Sequence, residues 1–135
     1  MKNKVIYDFT ILGGGIVGIS TALALINKHP TKKILLIEKE QSFASHQTAH
    51  NSGVIHAGVY YQPGSLKAKF CSEGLKDTIK FCSLHQIPFE QCGKLLVATN
   101  DIELKRMDEL YERCKLNQIE VEILNQKELK KLEPN

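Results

Sequence analysis

Apolar residues are dense at the start of the chain, give way to a polar stretch, and return with a different period. Val5 to Leu12 (VIYDFTIL) is mostly apolar, β-branched and aromatic, and predicts a buried strand. Three glycines follow, then Ile16 to Ile26 (IVGISTALALI), apolar on nearly every side, which predicts a helix buried between a sheet and other elements. His29-Pro30 ends it, because the residue before a proline avoids the helical region. Ile34 to Ile37 (ILLI) predicts a second buried strand. Strand, helix and strand in such quick succession make a βαβ unit with parallel strands and a right-handed crossover. The fold class that follows is α/β, a Rossmann-like βαβ domain.

From Lys39 to Pro63 the period is lost and Ser, His, Gln, Asn and Gly dominate. A loop of this length in a compact domain is uncommon and usually functional. Helical spacing returns from Ser65 to about His85, where Ala68, Cys71, Leu75, Ile79 and Cys82 form one stripe and Ser65 is the cap. Lys94 to Thr99 (KLLVAT) predicts a strand. Asn100 with Glu103 predicts a capping box opening a helix to about Lys115, with Met107, Leu110, Tyr111 and Cys114 inward. Alternation over Glu120 to Leu124 predicts another strand, and Asn125 with Glu128 repeats the capping pattern for a last short helix ending before Pro134.

Composition narrows the class without naming a function. The 135 residues allow one domain, and an apolar share of 42% suffices for a core. A surplus of 18 Lys and Arg over 15 Asp and Glu, with no clustered basic face, gives no argument for nucleic acid. No apolar run is long enough to span a membrane, and the start carries no signal-peptide pattern. Cys71, Cys82, Cys92 and Cys114 fit no CxxC or zinc spacing, so reduced thiols in the cytoplasm are the expectation.

Gly13-Gly14-Gly15-Ile16-Val17-Gly18 satisfies G-x-G-x-x-G between a predicted strand and a predicted helix. In such a motif Gly13 permits the tight turn, Gly15 lets a pyrophosphate approach the backbone, and Gly18 lets helix and strand pack closely. The helix start then offers N–H groups and a positive dipole end to the phosphates. Glu38 stands 20 positions beyond Gly18, at the end of the second strand, where a carboxylate accepts from a ribose 2′-hydroxyl and disfavours a 2′-phosphate. The alternative is a glycine turn that only shapes the strand–helix corner. The motif alone leaves NAD and FAD both open.

The loop Ala44 to Tyr61 (ASHQTAHNSGVIHAGVYY) reads as a ligand-binding loop, a metal site or a structured surface loop. His46 and His50 are spaced as on a zinc-binding helix, but no helix is expected and no glutamate accompanies them, so no metal is assigned. Structural histidines are the plain reading, preferred for His46. His56 sits between Ile55 and Ala57, flanks that predict partial desolvation, a lowered pKa and a neutral imidazole able to take a proton.

GGGIVG, IEKE, HNSGVIHAGVYY, PGSLKAKFC and QCGKLLVAT together resemble the L-2-hydroxyglutarate oxidase/dehydrogenase family, FAD-dependent enzymes of the D-amino-acid-oxidase-like fold. The resemblance runs along essentially the whole chain, and HNSGVIHAGVYY is its specific part. It implies FAD as cofactor, with Gly13, Gly15 and Gly18 at the pyrophosphate, Glu38 on the adenosine ribose, and Lys39 beside the adenine end. Thr48, Asn51, Ser52 and Gly53 run along the pyrophosphate towards the flavin, and His56 sits near the flavin as the catalytic candidate facing the substrate, to take its hydroxyl proton or to hydrogen-bond its carboxylate. The implied reaction oxidises the C2 hydroxyl of L-2-hydroxyglutarate to 2-oxoglutarate, with electrons passing to oxygen or quinone. Location is then cytoplasmic, with peripheral contact at the inner face of a membrane. One departure is Ala49, where the family is expected to carry glycine; a methyl group there crowds the cofactor if the backbone has positive φ.

Members of the family are much longer, so the expectation is an N-terminal piece. Residues 1–90 form the FAD-binding region, and residues 91–135 begin a substrate domain that is incomplete. The competing readings are a non-catalytic nucleotide-binding remnant, another FAD-dependent 2-hydroxyacid or amino-acid oxidoreductase, and an NAD-linked domain.

Overall fold

The computed structural model describes residues 5–134, and the chain divides into two compact units between Gly53 and Val54. In the first unit the expected βαβ arrangement is present. Strand β1 (Phe9–Leu12) pairs in parallel with β2 (Ile34–Ile37), Phe9 opposite Ile34 and Leu12 opposite Ile37. Helix α1 (Ile16–Lys28) connects them and packs on both.

β1 is shorter than the apolar run from Val5 predicts. Asp8 starts it: its carboxylate accepts from the Lys33 N–H at 2.9 Å and the Lys32 ammonium at 2.8 Å, tying the strand to the turn before β2. Val5, Ile6 and Tyr7 precede this staple and are exposed. Nor are the strands fully buried. Phe9 and Ile11 are half-buried while Thr10 and Leu12 face outward.

The expectation that α1 is buried all round is also corrected. Only the stripe Gly18, Ala22 and Leu25 turns inward, continued by His29, whose ring stacks on Phe9 at 5.8 Å between centroids. Val17 is 78% exposed and Ile26 50%. The reason is coverage: a two-stranded sheet covers one stripe of a helix and no more.

The second unit carries α2 (Leu66–Leu84), α3 (Asp101–Leu116) and α4 (Gln126–Leu132). All five residues of the predicted α2 stripe are half-buried, as are Met107, Leu110 and Tyr111 on α3. Cys114 is buried, and that burial pushes its thiol pKa up. Ser65 caps α2, accepting from the Ala68 N–H at 3.2 Å. Asn125 and Glu128 form the full capping box of α4. On α3 the box is half made: Asn100 accepts from the Glu103 N–H, but the Glu103 carboxylate bonds the N–H and hydroxyl of Thr99, one residue early.

The predicted strands Lys94–Thr99 and Glu120–Leu124 are not strands. Neither has a pairing partner among the described residues, and an extended segment becomes a strand only by sharing its backbone hydrogen bonds with another.

Candidate functional site

The carboxyl ends of β1 and β2 open into a cleft of about 470 Å³ within the first unit. This is where an open parallel sheet presents its ligand crevice. Leu12 and Ile37 form an apolar floor, and Gly13, Gly15, Glu38, Lys39, His46 and Thr48 stand around it. Five of the residues expected at the cofactor, namely Gly13, Gly15, Glu38, Lys39 and Thr48, are therefore brought together by the fold.

The turn is built as its residue types require. Gly13 has φ +103°, a conformation L side chains rarely adopt, and its N–H bonds the Ile37 carbonyl at 2.8 Å, fastening the turn to the end of β2. A Cβ on Gly18 would run into the Gly13 carbonyl, so this glycine is what lets α1 sit against the turn. At Gly15 a Cβ would stand 3.2 Å from the Thr48 hydroxyl, closer than side chains ordinarily pack, so the bare glycine is what admits Thr48 to the helix start.

The acid at the end of β2 is joined to the same turn. Glu38 accepts from the Gly14 N–H at 2.6 Å through Oε2 and from the Glu40 N–H at 3.0 Å through Oε1. These N–H groups, that of Glu40 first and then that of Gly14, hold the Glu38 carboxyl below its ordinary range and so keep it ionised. Each oxygen retains a lone pair, so the group can still accept from a hydroxyl in the cleft. Glu40 is also held low, chiefly by the His46 ring at 2.8 Å, with the Lys39 ammonium at 3.6 Å.

Two residues here were not legible beforehand. Gly14, an x of the motif, is buried, and its carbonyl accepts from the Ala44 N–H at 3.0 Å. The Phe43 ring occupies the space a Gly14 side chain would need. Both partners lie far along the chain, so spacing carries no trace of them.

Helix α1 begins at Gly15, which has no side chain to cap it, and its first turn contains no acid. Thr48 supplies the cap from 32 positions away, its Oγ1 accepting from the Ile16 N–H at 3.0 Å. Asn51 holds the loop that delivers Thr48. Its amide Nδ2 donates to the Gln47 and Thr48 carbonyls at 3.0 and 2.8 Å, and its Oδ1 accepts from the Gly53 N–H at 2.7 Å. Asn51, Ser52, Gly53 and Gly18 do not line the cleft itself. Ala49 is outside the positive-φ residues, so the crowding conditional on that backbone does not arise; in the loop Gly53, Gly58 and, among residues with a side chain, Ala44 adopt it, the last at φ 60°.

His46 and His50 serve the loop, His46 through Glu40 and His50 through a 2.8 Å contact of Nδ1 with the His46 carbonyl. His56 lies in the second unit. Its carbonyl accepts from the Cys71 thiol at 3.2 Å, and the residue is exposed, so the described residues do not supply the expected desolvation. In a loop the flanking apolar side chains of Ile55 and Ala57 do not have to cover the ring between them. The segment that follows is pinned to α3, with Arg113 donating to the Tyr60 carbonyl and Asn117 to that of Tyr61.

A parallel βαβ unit with a bare glycine turn, an ionised acid at the end of β2 and an open cleft at the helix start defines a dinucleotide-binding fold. The chain belongs to the family of FAD dependent oxidoreductases, which it matches over residues 8–135. It is 57% identical over 129 residues to the L-2-hydroxyglutarate dehydrogenase of Escherichia coli (strain K12), covering 96% of this chain and 31% of that protein. It is 51% identical over 124 residues to the mitochondrial L-2-hydroxyglutarate dehydrogenase of Mus musculus, covering 91% of this chain and 27% of that protein. The Nematostella vectensis mitochondrial protein of the same name is 48% identical, with 96% of this chain and 28% of that protein covered. The chain thus spans about a third of the length of these curated relatives or somewhat less. No helix among the described residues is long and apolar enough to cross a membrane.

Proposed function

We propose that this chain is the N-terminal, nucleotide-binding part of an FAD-dependent enzyme that oxidises the C2 hydroxyl of L-2-hydroxyglutarate to 2-oxoglutarate. The observation that carries the reading is the cleft. Glu38, held ionised by two backbone N–H groups, faces it beside the bare backbone of Gly15, in a chain 57% identical to an L-2-hydroxyglutarate dehydrogenase.

Bound there, FAD supplies a hydride acceptor for the substrate carbon. Glu38 binds the ribose hydroxyls of the adenosine, Lys39 flanks its adenine end, and the N–H groups at the start of α1 with Thr48 meet the pyrophosphate. Gly53 and Ser52 continue that path. His56 takes the hydroxyl proton as the C2 hydrogen leaves as hydride, once the rest of the enzyme covers it. On this reading residues 1–90 belong to the FAD-binding region and residues 91–135 open the substrate domain. The electrons would pass on to oxygen or a quinone, with the enzyme working in the cytoplasm in peripheral contact with a membrane.

The test is expression of the complete gene product. Purified protein is expected to be yellow, to release flavin on denaturation, and to oxidise L-2-hydroxyglutarate but not its D enantiomer. Gly15→Val is expected to be colourless, because its side chain fills the phosphate's space. Flavin without turnover on this substrate points instead to a non-catalytic remnant or another FAD-dependent 2-hydroxyacid or amino-acid oxidoreductase. A colourless protein that binds NAD overturns the reading.

A further inference from the structure

We propose that Asn51 is a positioning residue of the phosphate site, acting through Thr48. Its carboxamide fixes the turn that holds the Thr48 hydroxyl on the start of α1, and that hydroxyl donates onward to a phosphate oxygen of the bound nucleotide. The inference rests on the nucleotide-binding reading above and specifies how one wall of the cleft works.

The geometry supplies each link. The Thr48 Oγ1 accepts from the Ile16 N–H at 3.0 Å and stands 3.2 Å from where a Gly15 Cβ would be, over the bare backbone that a phosphate must approach. A hydroxyl that accepts one hydrogen bond still has its own proton to donate. Accepting from the positive end of α1 polarises the hydroxyl and strengthens it as a donor towards an anion. Thr48 therefore extends the anion-binding end of the helix by one hydroxyl.

Thr48 has this position because of Asn51. Both links from Nδ2, to the Gln47 and Thr48 carbonyls, and the link from the Gly53 N–H to Oδ1 lie inside the turn. With its donors engaged there, the side chain has none to offer a phosphate. This separates Asn51 from the direct contact along the pyrophosphate that the family resemblance implies.

The experiment measures ADP and adenosine binding by calorimetry to the complete, flavin-free protein and its Thr48 and Asn51 variants. Thr48→Val is expected to weaken ADP by about tenfold or more, the effect of losing one hydrogen bond to a charged group, while adenosine binding is unchanged. Thr48→Ser is expected to restore ADP binding to within about threefold, since it keeps the hydroxyl. Asn51→Ala is expected to weaken ADP but not adenosine, and to have no further effect in the Thr48→Val background. Asn51→Ser, which keeps an acceptor for the Gly53 N–H, serves if the alanine variant does not fold.

If Asn51→Ala weakens ADP as much in the Thr48→Val background as alone, or weakens adenosine equally, the proposal is overturned. Thr48→Val with unchanged ADP binding also overturns it. Wild-type protein that binds neither ligand removes the nucleotide-binding reading, and this proposal with it.

Discussion

At Glu38 one carboxylate both closes the glycine turn and faces the cleft, so its ionisation is linked to the stability of the nucleotide site. The N–H groups of Glu40 and Gly14 lower its pKa in the folded chain from the ordinary 4.5. A lowered folded pKa contributes stability that is fully present above the unfolded value and is lost as pH falls through the folded one. Glu38→Gln is therefore expected to unfold at lower urea than wild type at pH 7, with the gap closing as the solution is acidified below about pH 4.5. Asp8, Glu40 and Glu103 are lowered too, so both proteins lose stability in acid, and only the difference between them reports on Glu38. A gap that does not change with pH would assign the effect to geometry alone. The acid and its distance from Gly18 were legible in the sequence, because strand length and turn spacing set them. Its hydrogen bond to Gly14, the Phe43 ring over that glycine and the Thr48 cap on α1 were not. Each joins residues with no local pattern in common, brought together only by the path of the loop.

Among the elements, the helices and the two paired strands were read well and the two unpaired segments were not, for a physical reason. A helix satisfies its backbone internally and shows its buried face as a period, so Ala68, Cys71, Leu75, Ile79 and Cys82 announced α2 before any neighbour was known. A strand needs a partner, and KLLVAT and Glu120–Leu124 have none among the described residues. The helix ends were placed to within about a residue, but the way two of them close went unread. α2 and α3 both end with a glutamine in the left-handed region, Gln86 at φ 55° and Gln118 at φ 56°, where glycine is usual. After α3 the Gln118 N–H bonds the Lys115 carbonyl at 3.0 Å and the Ile119 N–H bonds that of Cys114 at 2.9 Å, the paired closure of a Schellman motif. Left-handed backbone costs a residue with a Cβ about 1–2 kcal/mol, partly offset by the extra freedom glycine gives the unfolded chain. Gln118→Gly is expected to stabilise the protein by about 0.5–1 kcal/mol, read as a higher urea midpoint at unchanged slope. Gln118→Val, β-branched at the same φ, is expected to destabilise it.

At the scale of the whole molecule, the described residues bury one apolar side chain, Cys114, and leave others of good size uncovered, including Val17, Leu66 and Phe70 at 78%, 68% and 63% exposure. Covering such a side chain contributes about 1.5–3 kcal/mol, so a few of them outweigh the whole net stability of a small domain. The E. coli relative has more than three times the aligned length, of which this chain covers 31%. On the proposed function, that remaining length covers these faces and positions the substrate against the flavin. Positioning alone accounts for about 7–11 kcal/mol of barrier lowering in well-oriented reactions. The 135 residues expressed alone are accordingly expected to associate in sedimentation experiments, to bind an apolar fluorescent dye, and to oxidise L-2-hydroxyglutarate at no measurable rate even with FAD added. Co-expression with the C-terminal remainder of the complete protein as a separate chain is expected to suppress dye binding and restore turnover, because the apolar faces and the substrate site are completed together. Turnover by the 135 residues alone, free of any longer form, would show that the cleft and the loop carrying His56 suffice for the chemistry and that the rest of the enzyme is not needed to position the substrate.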